Sequence, residues 1–164
     1  RIGEAIAVDW SSIDMERATV EIDYKVMRVK GAGLQRVRRT KFDAGHRTLP
    51  IPDFALRMLE RRHSASGGTG PLFPDSKGGW RDPSNLSREL RQARGSDEFA
   101  WVTSHVFRKT CATLLDEGEL SARQIADQLG HAKVSMTQDN YLGRRLTSRR
   151  TAETLDRAIG RTLG

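Results

Sequence analysis

Apolar residues alternate with polar ones near the start of this chain and fall at helical spacing further on. That change of period confines the fold to a small sheet combined with helices, an α+β class. Val20, Ile22, Tyr24 and Val26 alternate with Glu21, Asp23 and Lys25, the period-two pattern of a half-buried strand. Gly31 and Gly33 supply a turn, and a second extended run follows over 34–42. Asp43, Ala44, Gly45 and His46 make another turn before a third run over 47–51. The three runs predict a three-stranded antiparallel sheet within a mostly helical domain.

The helices are announced by their ends. Pro52 and Asp53 open one with Phe54, Met58 and Leu59 on a shared face, fading by His63, and the Ser- and Gly-rich stretch 64–70 predicts a flexible loop. This loop does not divide the chain into two domains, because neither half has a complete core of its own. Asp82 and Pro83 give an N-cap followed by proline in the first turn, with Leu86, Leu90 and Ala93 on one stripe and Gly95 as the stop. From 104 to 117, Phe107, Cys111, Leu114 and Leu115 follow helical spacing until Gly118, and His105 and Arg108, three apart, project beside that stripe. Ser121 with Gln124 forms a capping box for a short helix carrying Ile125, Ala126 and Leu129 and closed by Gly130, with His131 at the turn. Ser135 with Gln138 repeats the cap pattern, and Tyr141 falls near the end of the helix it opens. Ala152, Leu155, Ile159 and Leu163 share a stripe, which predicts a last amphipathic helix over 149–163.

Composition narrows the partner. The 164 residues suit one domain, and 28 Lys and Arg against 21 Asp and Glu leave a net charge of +7 with a pI near 10.2, which favours a polyanion. Arg36, Arg38, Arg39, Lys41 and Arg47 give the expected sheet a basic face. By itself this reads first as a solvated edge that discourages aggregation, and second as a surface for nucleic acid. Cys111 is the sole cysteine, so neither an internal disulfide nor a cysteine-rich metal site can form, and a reducing cytoplasm fits. No stretch is long and apolar enough to span a membrane, and the first ten residues carry no secretory pattern. The chain opens without methionine in an amphipathic run over 1–8, which reads as a piece cut from a longer protein.

Taken in order, the punctuated residues resemble a known family. His105-Val-Phe-Arg108, then Leu129-Gly-His131, then Tyr141 ten residues later are similar to the C-terminal motif block of the tyrosine recombinases, the phage integrase family. Arg1-Ile-Gly-Glu4-Ala with Val8, Asp9, Trp10 and Ile13 resembles the segment holding that family's first catalytic arginine. Lys41 with Gly45-His46-Arg47-Thr48-Leu49-Pro50 resembles its lysine-bearing hairpin. One His-x-x-Arg means nothing, but the ordered set is specific.

The chemistry explains why such residues travel together. Attack of a phenol oxygen on a phosphodiester puts charge on the nonbridging oxygens, which fixed cationic donors stabilise. Arginine holds phosphate by a planar fork and stays charged, so the resemblance assigns Arg1 and Arg108 to a clamp, with Glu4 in support. It gives His131 a further hydrogen bond to the same phosphate. Tyr141, with an ordinary pKa near ~10, is the implied nucleophile, and His105 the proton acceptor. Lys41 is the implied general acid for the leaving 5′ oxygen. Arg39 and Lys109 are weaker candidates for DNA contact. A phosphotyrosine bond conserves the energy of the broken phosphodiester, so no cofactor, ATP or metal is implied.

The resemblance further implies double-stranded DNA at specific sites as partner, four subunits joined through the last helix, and a bacterial or phage-infected cytoplasm near the nucleoid. It also implies that residues 1–164 are a catalytic domain whose preceding helices and core-binding domain are missing, so these residues alone are expected to fail at recombination where a longer parent succeeds. Each residue has a plainer reading. Arg1 and Glu4 can be an exposed helix pair, Lys41 a protective strand lysine, His105 and His131 helix-end caps, and Tyr141 a core anchor. A type IB topoisomerase and a helix-turn-helix binding module also stay open, as does a last helix that folds back on its own chain.

Overall fold

Asp23 breaks the expected first strand in two. In the computed structural model, which describes residues 1–38 and 46–140 without the side chains of 139 and 140, Thr19–Ile22 (β2) pairs antiparallel with Ile13–Asp14 (β1) on one side and Arg47–Pro50 (β5) on the other. Tyr24–Val29 (β3) instead pairs with Gly33–Arg38 (β4) as a separate hairpin. The three-stranded antiparallel sheet exists, but the run expected as its second strand belongs to that hairpin. Alternation passes unbroken through Asp23, so periodicity cannot register the switch. The buried Asp23 carboxylate accepts from Arg38 Nε at 2.6 Å and lies 3.1 Å from His46 Nδ1, which fixes it between the two pairings. Gly31 and Gly33, both with positive φ, form the tight turn that sets the β3–β4 register.

The expected basic sheet face is also revised. Arg36 turns inward: its guanidinium lies 3.7 Å from the Tyr24 ring centroid and 5.1 Å from that of Trp80, and Nε donates to Ala7 O at 2.9 Å. Arg47 is also sheltered, with a side chain 13% exposed. Arg39 and Lys41 fall outside the described residues, as do Tyr141 and the stripe of Ala152, Leu155, Ile159 and Leu163.

Around the sheets stand the helices Ile2–Ala5 (α1), Asp53–Ser66 (α2), Pro83–Arg94 (α3), Ser104–Glu117 (α4), Ala122–Leu129 (α5) and Val134–Asn140 (α6). The start of α3 is as expected, with Pro83 in the first turn and the Asp82 carboxylate accepting from Ser84 N. α2 runs through Ser66, past the expected end, and Gly67 in the left-handed region ends it. Its buried face is Ala55, Leu56 and Leu59, while Phe54 and Met58 are exposed, because five residues on a helix carry Leu59 well round from Phe54. On α4 the buried seam is Ala112 with Cys111 and Leu115, and Phe107 and Leu114 are exposed. Ser135 falls inside α6, so the expected cap there is not one. Among the described residues no helix is long and apolar enough to cross a membrane.

Three cores result. Val8, Trp10, Ile22, Ile51, Leu59 and Leu72 join the three-stranded sheet to α2. Ile6, Ala7 and Val26 tie α1 to the hairpin, with Trp80 and Leu86 against them. Ala112, Ile125 and Leu129 form a separate core between α4 and α5. Full burial of an Ile or Leu contributes ~1.5–3 kcal/mol, so this last seam can hold the α4–α5 pair. A cleft of about 660 Å³ opens where the pair meets α1, α3 and β5.

Candidate functional site

The site is organised by the way α5 ends. Its start is capped reciprocally, Ser121 Oγ accepting from Gln124 N and Gln124 Oε1 from Ser121 N. At the other end Gly130 adopts φ +66°, His131 N donates to Ala126 O at 2.9 Å and Gly130 N to Asp127 O at 3.1 Å. Those two bonds satisfy the carbonyls of 126 and 127 and leave the next three for other donors. Each receives an arginine. Arg47 Nε donates to Gln128 O at 3.1 Å, Arg108 Nη2 to Leu129 O at 2.5 Å and Arg1 Nη2 to Gly130 O at 3.2 Å. Guanidiniums from the start of α1, from β5 and from α4 are thus gathered at the negative end of one helix, where the peptide dipoles offset part of their repulsion.

Glu4 completes the cluster. The residue is 3% exposed, and its carboxylate lies 2.8 Å from Arg1 Nη1 and 3.1 Å from Arg47 Nη2. Burial pushes its carboxyl up, but the hydrogen bond from Arg1, the charge of the Arg1 amino group and the contacts from Arg47 outweigh that and hold it at about 2, so it is ionised. Two guanidiniums on that carboxylate and a third, Arg108, on the Leu129 carbonyl leave the cluster positive. Burial, then the nearby Arg108, Arg1 and Arg47, pull the His131 ring down to about 4, so it is neutral at neutral pH. Its Nδ1 lies 2.7 Å from Thr137 Oγ1.

Arg1, Arg47, His105 and Arg108 line the cleft, with Leu86, Leu90 and Phe107 as apolar walls. His105 is exposed on the first turn of α4, one turn before Arg108. The expected residues Arg1, Glu4, Arg108 and His131 therefore meet around one helix end, and His105 stands at the same cleft. Lys109 does not join them: it lines a separate groove with Trp101 and Leu114. Arg39, Lys41 and Tyr141 lie outside the described residues.

Arg47 and Thr137 are the members that sequence reasoning missed. For Arg47 a signal existed, since it keeps the inward parity of Leu49 on β5 and of Ile51 just after it. For Thr137 none did, because its contact depends on the turn joining α5 to α6. Among the described residues no group of three or more His, Cys, Asp or Glu is placed to hold a metal ion. What the arrangement can do is hold an anion whose charge is spread over several oxygens, with guanidinium forks and a neutral imidazole around it.

The phage integrase family profile matches residues 1–145. The chain is similar to a XerC-like tyrosine recombinase of Caldanaerobacter subterraneus subsp. tengcongensis, 24% identical over 164 residues, covering 86% of this chain and 41% of that protein. It is also similar to the tyrosine recombinase XerD of Mycobacterium tuberculosis, 30% identical over 139 residues, covering 84% of this chain and 42% of the relative. The chain thus spans about two fifths of the length of these curated relatives. Among solved structures it resembles the Tn1549 transposon integrase bound to transposon right end DNA, with a TM-score of 0.71 at 16% identity over 98% of this chain and 55% of that one. It also resembles XerA recombinase, with a TM-score of 0.64 at 21% identity over 97% and 51%. At those identities the likeness is one of fold. With its motifs in order and the family profile running from residue 1 to residue 145, the chain belongs to the phage integrase family.

Proposed function

We propose that this chain is the catalytic part of a site-specific DNA recombinase that cuts and rejoins strands through a 3′-phosphotyrosine bond. The observation that carries the reading is the gathering of Arg1, Arg47 and Arg108 with a neutral His131 at the end of α5, beside an open cleft. In this reading Arg1 and Arg108 clamp the nonbridging oxygens of one phosphodiester and His131 donates to the same group. Glu4 is the buried counter-charge that orients Arg1 and Arg47. Tyr141 attacks phosphorus and the bond from phosphorus to the 5′ oxygen of the next nucleotide breaks. The phenol proton passes to His105, and Lys41 protonates the departing 5′ oxygen. Religation reverses these steps, and the phosphotyrosine conserves the bond energy.

The partner is duplex DNA at a specific site. We further propose that Arg39 and Lys109 contact its backbone and that four subunits assemble through the apolar stripe of Ala152, Leu155, Ile159 and Leu163 in the nucleoid-bearing cytoplasm. The test is covalent capture. The natural polypeptide carrying these residues, incubated with nicked suicide duplexes from candidate attachment sites, is expected to form a protein–DNA adduct that disappears in Tyr141→Phe. An adduct that survives Tyr141→Phe overturns the reading. Relaxation of supercoiled DNA with no site requirement would point instead to a type IB topoisomerase.

A further inference from the structure

We propose that Thr137 is a positioning residue that sets the tautomer of His131: its hydroxyl donates to Nδ1, so that the ring presents Nε2–H to the DNA phosphate. The inference rests on the reading of His131 as a phosphate donor. Its geometric basis is a closed contact: Thr137 is fully buried, His131 is 6% exposed, and Oγ1 and Nδ1 are 2.7 Å apart. With Nδ1 engaged by Thr137, any hydrogen bond from the ring to a phosphate is made through Nε2.

A neutral imidazole carries one N–H and one lone pair, and a hydroxyl can serve either. If Nδ1–H donated to Thr137, Nε2 would hold a lone pair and would repel an anionic oxygen. The imidazolium would donate from both nitrogens, but burial and the facing charges of Arg108, Arg1 and Arg47 disfavour it. Of the two neutral arrangements, only the one that accepts from Thr137 at Nδ1 leaves an N–H at Nε2 that can donate to a phosphate. Three other helical hydroxyls make a different choice. Ser64, Ser87 and Thr113 each donate to the carbonyl four residues back, at 3.1, 2.8 and 3.1 Å. Thr137 engages His131 Nδ1 instead, which leaves its proton for the ring.

Nitrogen-15 NMR of His131 in the wild-type chain at neutral pH tests this without any catalytic readout. The expected spectrum shows Nε2 protonated and Nδ1 as a lone-pair nitrogen; the reverse tautomer overturns the proposal. In the natural polypeptide on the nicked duplex, the isosteric Thr137→Val should slow formation of the Tyr141 adduct by about ten- to a hundredfold while DNA affinity stays within about twofold. Thr137→Ser, which restores the hydroxyl, should recover most of that rate. An adduct formed at the wild-type rate by Thr137→Val sinks this inference alone, whereas no adduct from the wild type sinks the recombinase reading and leaves the tautomer result standing. Should the valine variant fail to fold, the wild-type spectrum and the serine variant decide.

Discussion

Arg36 and Arg108 are both guanidiniums held by the protein, yet they are held differently. Arg36 is 18% exposed and each of its three nitrogens has a protein partner: Ala7 O for Nε, the Asp9 carboxylate for Nη1 and Ser12 Oγ for Nη2, with Tyr24 against its face. Arg108 has one acceptor among the described residues, Leu129 O, and it borders the cleft. A guanidinium has five donors. When every nitrogen is engaged by protein the group fastens elements together, and when one carbonyl fixes its direction the others are left for an anion. Residue type cannot distinguish these cases, and neither can net charge.

Breaking each arginine separates the two behaviours. Arg108→Ala should slow adduct formation by ~10²–10³-fold, the usual effect of losing one donor to a developing oxyanion, with little change in melting temperature. Arg36→Ala should do the reverse. It leaves Asp9 without its cation and costs ~3 kcal/mol of stability, or about 10 °C in a domain of this size, with the rate per folded molecule unchanged. Thermal melts alongside single-turnover capture check both. If Arg108→Ala loses stability and rate in proportion, as Arg36→Ala would by unfolding, the distinction collapses.

The pH response sharpens the contrast, because the clustered arginines depend on Glu4 and Arg36 does not. The native Glu4 carboxyl titrates at about 2, below its ordinary value. Between the two values the unfolded chain binds the extra proton, so the stability Glu4 contributes is complete above ~pH 4.3 and is lost as pH falls toward 2. Its full size is on the order of 3 kcal/mol. Glu4→Gln should therefore lose about that much at neutral pH and flatten the acid limb below ~pH 4.3. His131 acts higher: native at about 4 against an ordinary ~6.5, it adds stability above ~pH 6.5 that is lost on descending toward 4. Urea melts across both windows check the assignment. A Glu4→Gln chain that kept the wild-type slope below ~pH 4.3 would place the titration on another group.

The two regions were also unequally legible. The α4–α5 part was readable because its signals are local: the Ser121–Gln124 box, the stops at Gly118 and Gly130, and the spacing of His105 and Arg108 are all fixed within one or two turns. The sheet was not, since the break at Asp23 depends on Arg38 and His46, fifteen and twenty-three residues away, and alternation runs through it unchanged. The side chains that face inward were lost for the same reason. Arg36 and Arg47 looked like an exposed basic edge until packing brought Tyr24 and Trp80 over one and the end of α5 against the other. Family motifs recovered Arg1, Glu4, Arg108 and His131, because the order of residues along the chain survives folding even when distance does not. Thr137 has no such marker.

The smallest expected effect is the most discriminating. Gly130 and Gly31 both occupy the left-handed region, at φ +66° and +79°. An alanine at either should cost a similar ~1 kcal/mol of backbone strain, about 3 °C. At Gly31 a Cβ would meet nothing within 4 Å, and the turn only joins β3 to β4 on the Arg36 side of the molecule. At Gly130 the same strain falls on the turn that turns the Gly130 carbonyl to Arg1 and sets His131 against Thr137. Gly130→Ala should therefore slow adduct formation several-fold beyond its loss of stability, while Gly31→Ala leaves the rate per folded molecule unaltered. Equal rates in the two variants would mean that the end of α5 supports the arginines only by being folded, and that their directions are set elsewhere.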